Sequence, residues 1–193
     1  MKRIILASKS QRRIEFMNEF KIKYEIIEST KPEFVDSFNS NEELVMKLAQ
    51  QKAKEVFENN KDALVLGFDT LVFLDGEIIG KPQSQEECIK MIKKLSGKTH
   101  KVITGAYFIS DDFEKSFYSS CFVTFSDIDD EEILNYSLTK EPYDKAGGYA
   151  IQGYIGRFIK SIDGDFFSVV GMPKSEVYAT LKEYIKNHWF VIY

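Results

Sequence analysis

The sequence predicts an α/β protein whose mixed β-sheet is flanked by helices. Three observations support this fold class. A buried strand at residues 4–7 leads through a polar loop into an amphipathic helix, a strand–loop–helix unit typical of parallel pairing. Three pairs of apolar runs fold back through short polar turns, which indicates β-hairpins and therefore antiparallel pairing. A sheet that contains both kinds of pairing is mixed.

Composition bounds the class of protein. With 193 residues and 44% hydrophobic content, the chain can bury a sizeable core, and we expect one domain over residues 1–193. The net charge of -4 argues against a nucleic-acid partner, so any anion site depends on local groups of Lys and Arg.

Cysteine usage and hydropathy indicate the compartment. Cys88 and Cys121 lie far apart and lack metal-ligand spacing, which predicts buried free thiols in a reducing compartment and no zinc site. The apolar run at residues 4–7 is too short for a signal peptide, and no run approaches membrane length. We therefore expect a soluble cytoplasmic protein with no membrane partner.

The first strand–loop–helix unit contains a candidate anion site. Ser8 or Ser10 is predicted to cap the helix, and Arg12 and Arg13 lie in its first turn. Arginines there oppose the helix dipole, which a bound anion would explain, although placement on a solvated surface explains it as well. The loop has no glycine and so is not a Walker-type phosphate loop.

A second candidate lies on the next helix. After a predicted strand at Tyr24–Ile27 and a loop at Lys31–Glu33, a helix is predicted over residues 41–59. Lys52 falls on the apolar stripe of this helix. Its ammonium either snorkels to solvent at the edge of the stripe or points into a cleft.

The most unusual stretch begins at residue 63. Ala63–Phe68 reads as a buried strand, and Asp69 is predicted at its end. The apolar run resumes at residues 71–74, turns at Asp75-Gly76 and returns at residues 77–79. A buried carboxylate needs a partner, and Lys81 is the nearest candidate in sequence, which suggests phosphate or metal chemistry. A solvated Asp at a strand end is the alternative.

The rest of the chain supplies further predicted elements. A capping box at Ser84–Glu87 starts a helix that ends at Gly97, and His100 is interpreted as structural. Glycines between Glu141 and Gly153 indicate close backbone approach. The remaining elements are a hairpin of residues 101–110 and 115–125, a helix at 130–138, a hairpin of 155–162 and 166–170, and a helix at 174–187.

Several short motifs taken together resemble the Maf family of nucleoside triphosphate pyrophosphatases. In chain order they are Leu6-Ala7-Ser8-x-Ser10-x-Arg12-Arg13, Gly67-x-Asp69-Thr70, Gly80-Lys81-Pro82, Leu95-Ser96-Gly97-x-x-His100-x-Val102-x-Thr104, Glu141-Pro142-x-Asp144-Lys145-Ala146-Gly147, Ile151-Gln152-Gly153 and Val170-Gly171-x-Pro173. They span almost the whole chain and are similar to the dTTP/UTP branch. Gln11 departs from the pattern, because family members usually have proline there; its absence removes no contacting group but loosens the loop-to-helix junction.

The resemblance implies a fold and a reaction. The fold is an elongated mixed sheet with flanking helices and two lobes around a nucleotide cleft, like that of inosine triphosphate pyrophosphatases, and homodimers are common. The reaction is hydrolysis of a nucleoside triphosphate to the monophosphate and pyrophosphate.

The resemblance also implies roles for single residues. Asp69 is the expected proton acceptor or metal ligand, with Glu33 as the second carboxylate, and the cofactor is a divalent cation, magnesium or manganese. Lys52 and Lys81 complete the catalytic set. The expected substrate-binding residues are Ser8, Arg12, Arg13, Thr70 and Gln152, of which the last three mark the pyrimidine branch.

Two alternatives stay open from sequence. One is a non-catalytic nucleotide-binding regulator of septum formation, since the family has been linked to division arrest. The other is a pyrophosphatase for 7-methyl-GTP or inosine triphosphate. Pyrophosphate release with a panel of nucleotides distinguishes them.

Overall fold

A computed structural model describes residues 3–32 and 34–188 of the chain. Seven strands are found within these ranges: β1 Arg3–Leu6, β2 Glu25–Ile26, β3 Ala63–Leu74, β4 Glu77–Ile79, β5 Thr99–Ile109, β6 Glu114–Phe125 and β7 Ile159–Gly164. The α-helices of the same ranges are α1 Gln11–Glu19, α2 Asn41–Glu58, α3 Gln85–Leu95, α4 Asp130–Ser137, α5 Phe166–Val170 and α6 Lys174–His188.

The strands form one mixed sheet, as the sequence predicts. Its order is β2-β1-β3-β5-β6-β7, and β4 pairs with β3 beside this path. Strand β1 runs parallel to β2 and to β3, whereas β4 is antiparallel to β3 and β7 is antiparallel to β6. The parallel pairs come from the strand–loop–helix segments and the β3–β4 pair from the predicted turn at Asp75-Gly76.

The chain divides into two compact units. The first comprises residues 1–69, 104–119 and 171–193, and the second comprises residues 70–103 and 120–170. Strands β3, β5 and β6 each contribute residues to both units. Three of the boundaries therefore fall inside long strands rather than in linkers.

The core of the first unit follows from the two-residue period of its strands. On one face, Leu64, Leu66 and Phe68 of β3 pack in a buried cluster with residues of β1, α1 and α6. On the opposite face, Val65 of β3 packs with Ala49, Ala53 and other residues of α2. The strand is apolar on both sides because helices cover both faces of the sheet.

Helix α2 lies unusually close to the sheet. A Cβ atom at Gly67 would overlap the carbonyl oxygen of Ala49 and lie 2.8 Å from the Cβ of Ala53. A Cβ at Gly105, on β5, would lie 2.6 Å from the carbonyl oxygen of Val45. Only glycine permits this approach at either position.

The second unit encloses His100 as a structural residue, as the sequence predicts. Its Nε2 lies 2.6 Å from the hydroxyl oxygen of Tyr149, and its ring packs edge-on against Phe125. Burial lowers the pKa of His100 to about 4, so the imidazole is neutral at pH 7. Cys88 and Cys121 are both buried and unpaired, which confirms the prediction that they are buried free thiols.

Two element predictions need correction. Strand β3 continues from Ala63 to Leu74, so Asp69 lies inside a strand and not at its end. Residues 166–170 form helix α5 rather than the second strand of a hairpin. The Asp165 carboxylate accepts the Phe167 N–H at 2.9 Å, a local bond that favours a helix start over an extended chain.

We predict that Gly67→Ala lowers the free energy of unfolding by about 1–3 kcal/mol, because the added methyl group overpacks the contact with α2. Urea denaturation measures the loss. The matched control is Gly80→Ala, since a Cβ there has nothing within 4 Å, and we expect it to change stability by at most about 0.5 kcal/mol. Equal losses of unfolding free energy in the two variants would show that the contact with α2 does not restrict the side chain at residue 67.

Candidate active site

A buried ion pair joins helix α2 to strand β3. The Lys52 ammonium donates a hydrogen bond to Oδ1 of Asp69. The side chains of Lys52 and Asp69 are 17% and 10% exposed, so both charges are largely removed from water. Each charge offsets the desolvation cost of the other.

This pair corrects the predicted partner of Asp69. Lys81 is the predicted partner, but the structure gives Asp69 a partner from α2. The snorkelling interpretation of Lys52 is also wrong, because its ammonium is directed to a buried carboxylate. Of the two alternatives, the inward-pointing lysine is the one observed.

The close packing of α2 explains how Lys52 reaches Asp69. Gly67 and Asp69 are two residues apart on β3, so their Cα substituents lie on the same face of the strand. Ala49 and Ala53 of α2 pack over Gly67. Lys52 lies three residues after Ala49 and therefore projects from the same side of the helix. Gly67 therefore allows α2 to lie close enough to β3 for the Lys52 ammonium to contact the Asp69 carboxylate.

The loop after β1 is held by a second set of contacts. Ser8 is buried, and its Oγ accepts hydrogen bonds from the Ser10 N–H at 3.2 Å and from Nη1 of Arg13 at 3.1 Å. Nε of Arg13 donates to the carbonyl oxygen of Gly171 at 2.9 Å. Arg13 therefore ties the first turn of α1 to Ser8 and to the segment before α6.

The capping prediction at α1 is confirmed in position only. Ser10 is the N-cap residue of α1, but its side chain makes no capping hydrogen bond. The Ser8 hydroxyl accepts instead from the Ser10 N–H, a local bond of the loop rather than a helix cap. Arg12, in the first turn, is half-buried.

The remaining predicted site residues lie in the second unit or outside the described ranges. Thr70 follows Asp69 in β3 and is half-buried, whereas Lys81 and Gln152 are exposed in loops. Within the first unit, the structure brings together Lys52 with Asp69 and Ser8 with Arg13. Glu33 lies outside the described residues, so its predicted roles stay predictions.

A carboxylate that the sequence analysis missed holds the segment before residue 33. Glu55 on α2 accepts hydrogen bonds from the Ser29 hydroxyl at 2.5 Å and from the N–H groups of Thr30 and Lys31 at 3.0 and 3.2 Å. Burial disfavours the charge of Glu55, but these hydrogen bonds outweigh it and lower its pKa. No sequence signal marks Glu55, because its partners are backbone and hydroxyl groups 24 to 26 residues away.

No group of three or more His, Cys, Asp or Glu side chains that could hold a metal ion occurs in residues 3–32 and 34–188. A divalent cation that relied on Asp69 would need its other ligands from water, from substrate phosphates or from Glu33. Magnesium sites commonly combine one or two carboxylates with phosphate oxygens, and Asp69 offers one such carboxylate.

Comparison with known proteins places the chain in a family. The model of the family described as Maf-like protein matches residues 3–184. The chain belongs to the Maf-like protein family. This confirms the resemblance that the sequence motifs indicate.

Relatives of this Maf-like chain are similar over most of their length. A protein of Caldicellulosiruptor bescii, named dTTP/UTP pyrophosphatase, is 49% identical over 179 residues, which is 90% of either chain. A Bacillus velezensis protein of the same name is 46% identical over 183 residues, covering 95% of this chain and 97% of that one.

A solved structure supports the fold. The HAM1 protein from Coxiella burnetii superposes with a TM-score of 0.53 at 15% identity, covering 95% of this chain and all of that one. At that identity the likeness concerns the fold alone. In the part of the chain that the structure describes, no helix is both long and apolar enough to cross a membrane.

We predict that Lys52→Met lowers the free energy of unfolding at pH 7 by about 2–4 kcal/mol, because it leaves the Asp69 carboxylate buried without its ammonium. The double variant Lys52→Met/Asp69→Asn should recover most of that loss, since no buried charge then remains at the pair. Urea denaturation is measured for the wild type, both single variants and the double variant. The four free energies of unfolding give the coupling free energy between Lys52 and Asp69. Losses that add would show that the two side chains do not interact.

Proposed function

We propose that this Maf-like protein hydrolyses dTTP and UTP between the α and β phosphates, releasing the nucleoside monophosphate and pyrophosphate. The observation that carries the proposal is its 49% and 46% identity to two relatives named dTTP/UTP pyrophosphatase. The buried Lys52–Asp69 pair supports it, because it presents an ionised carboxylate in a largely dry site.

Asp69 is the proposed proton acceptor. Water attack on a phosphoanhydride requires a group that orients the water and accepts its proton. Lys52 stabilises the charged carboxylate through its hydrogen bond to Oδ1. The proton then passes from the attacking water to Asp69, and pyrophosphate leaves with the electrons of the broken P–O bond.

The triphosphate needs cations that absorb charge on its oxygens and on the leaving pyrophosphate. We assign this role to Arg12 and Lys81, with Ser8 as a hydrogen-bond donor. The two hydrogen bonds that Arg13 makes to Ser8 and Gly171 orient its guanidinium, so its proposed part is to hold the Ser8 loop in place.

A divalent cation, magnesium or manganese, would supply further positive charge to stabilise the developing negative charge of the reaction. Asp69 is its proposed ligand in the described chain, and Glu33 is the proposed second carboxylate. Asp69 thus has two proposed uses, and its ionised form is required for both.

Selection of the base is assigned to Gln152. A uracil or thymine edge offers an acceptor, a donor and an acceptor, and one amide can meet the ring N–H and one carbonyl together. A guanine edge replaces the second acceptor by an amino donor and belongs to a larger ring. Thr70, which also marks the pyrimidine branch, is the proposed second contact.

We place the protein in the cytoplasm. Cys88 and Cys121 are both buried as free thiols. Burial raises the pKa of each thiol to about 11, which keeps it protonated and unreactive. Unpaired cysteines of this kind are typical of reducing compartments.

We predict that kcat/KM for dTTP and UTP exceeds that for 7-methyl-GTP by at least about tenfold, the value of roughly one hydrogen bond. Pyrophosphate release is measured for dTTP, UTP, 7-methyl-GTP and ITP with magnesium, with manganese and with chelator. Preference for 7-methyl-GTP or ITP would move the protein to another branch of the family. Binding of UTP without turnover would favour the non-catalytic regulator.

A further inference from the structure

The carboxylate of Glu141 caps the turn that carries Gln152. Its Oε2 accepts the Tyr154 N–H at 3.1 Å, and its Oε1 accepts the Tyr136 hydroxyl at 3.3 Å. The turn itself closes through a hydrogen bond from the Gly153 N–H to the carbonyl oxygen of Ala150 at 3.0 Å. Gln152 therefore lies within a turn whose two ends are both fixed.

Gly153 makes room for this carboxylate. A Cβ atom at Gly153 would overlap Oε1 of Glu141 and lie 2.7 Å from its Oε2. The two residues are thus matched. Glu141 accepts a backbone N–H of the turn, and Gly153, beside Gln152, leaves open the space that the Glu141 carboxylate occupies.

Glu141 is itself held firmly. The carbonyl oxygen of Glu141 accepts a hydrogen bond from the Lys145 ammonium at 2.7 Å. The Tyr136 hydroxyl has one hydrogen, which it shares between Oε1 of Glu141 at 3.3 Å and the carbonyl oxygen of Gly148 at 2.8 Å. A residue fixed at its backbone and at both carboxylate oxygens can transmit that order to its neighbour.

A residue of helix α4 makes a second contact with the same turn. The Tyr154 hydroxyl donates to Oε2 of Glu132 at 2.6 Å, and the Tyr154 ring stacks on Tyr136. The hydrogen bond to Glu132 raises the pKa of Tyr154. This contact fixes the side chain of Tyr154, whereas Glu141 fixes its backbone, which is one peptide bond from Gly153.

We propose that Glu141 is a positioning residue for base selection: its carboxylate orders the turn from Ala150 to Tyr154 so that Gln152 meets the pyrimidine edge. The inference rests on the proposed function, in which Gln152 reads the base. Because Gln152 is exposed, its amide gains orientation from the backbone of the turn. A shift of about 1 Å in that backbone would cost the paired hydrogen bonds to the base.

The test separates base binding from phosphate binding. KM and kcat for UTP are measured for the wild type, Glu141→Ala and Glu141→Gln, together with the competitive inhibition constant of inorganic tripolyphosphate, which has no base. We expect Glu141→Ala to raise KM for UTP about tenfold, with kcat and the tripolyphosphate constant changed less than about threefold. Glu141→Gln should stay close to wild type, because its amide oxygen still accepts the Tyr154 N–H.

Two further variants make the test specific. Glu131→Ala removes an exposed carboxylate of helix α4 and controls for the change in net charge. In the Gln152→Ala background, Glu141→Ala should have no additional effect on KM, since the residue that it positions is gone.

The outcomes against the inference are distinct. An unchanged KM in Glu141→Ala, an equal rise in the tripolyphosphate constant, or a full additional effect in the Gln152→Ala background would each overturn it. Absence of UTP hydrolysis by the wild type would instead refute the proposed function, and the two failures are therefore distinguishable.

Discussion

The first unit depends on the close approach of helix α2 to the sheet at Gly67. The missing side chain lets Ala49 and Ala53 pack directly on strand β3, and this contact brings Lys52 within hydrogen-bond reach of Asp69. A β-strand buried on both faces would ordinarily exclude a carboxylate. Here the helix that excludes water also delivers the compensating charge, so the packing of the core and the electrostatics of the candidate site have one cause.

A buried ion pair is weak evidence for stability in itself, because two apolar side chains would often be as stable. We propose that function explains the Lys52–Asp69 pair. A carboxylate that must accept a proton or bind a cation has to be ionised, and in a dry site a partner charge favours the ionised form.

The strands and helices whose pattern is local in the sequence are predictable from it. The apolar periods identified β1, β3 and α2, and Lys52 stood out because its stem lies on the apolar stripe. The partner of Asp69 was not predictable, because Lys52 and Asp69 are 17 residues apart and meet only once α2 packs on β3. The roles of Glu55 and Glu141 were missed for a related reason: their partners are backbone N–H groups, which every residue but proline carries. The sequence predicts a strand at residues 166–170, where the structure has helix α5, because five residues are too few for periodicity to separate a strand from a helix.

The central claim is that Lys52 and Asp69 act as one catalytic unit, and a kinetic double-mutant cycle tests it most directly. The turnover of dTTP is measured for the wild type, Lys52→Met, Asp69→Asn and the double variant, at a temperature where all four are folded. We predict that Asp69→Asn lowers kcat by roughly 100-fold or more and that adding Lys52→Met lowers it less than about threefold further, because Lys52 acts through Asp69. Near-wild-type turnover of Asp69→Asn, or losses that multiply in the double variant, would contradict the claim.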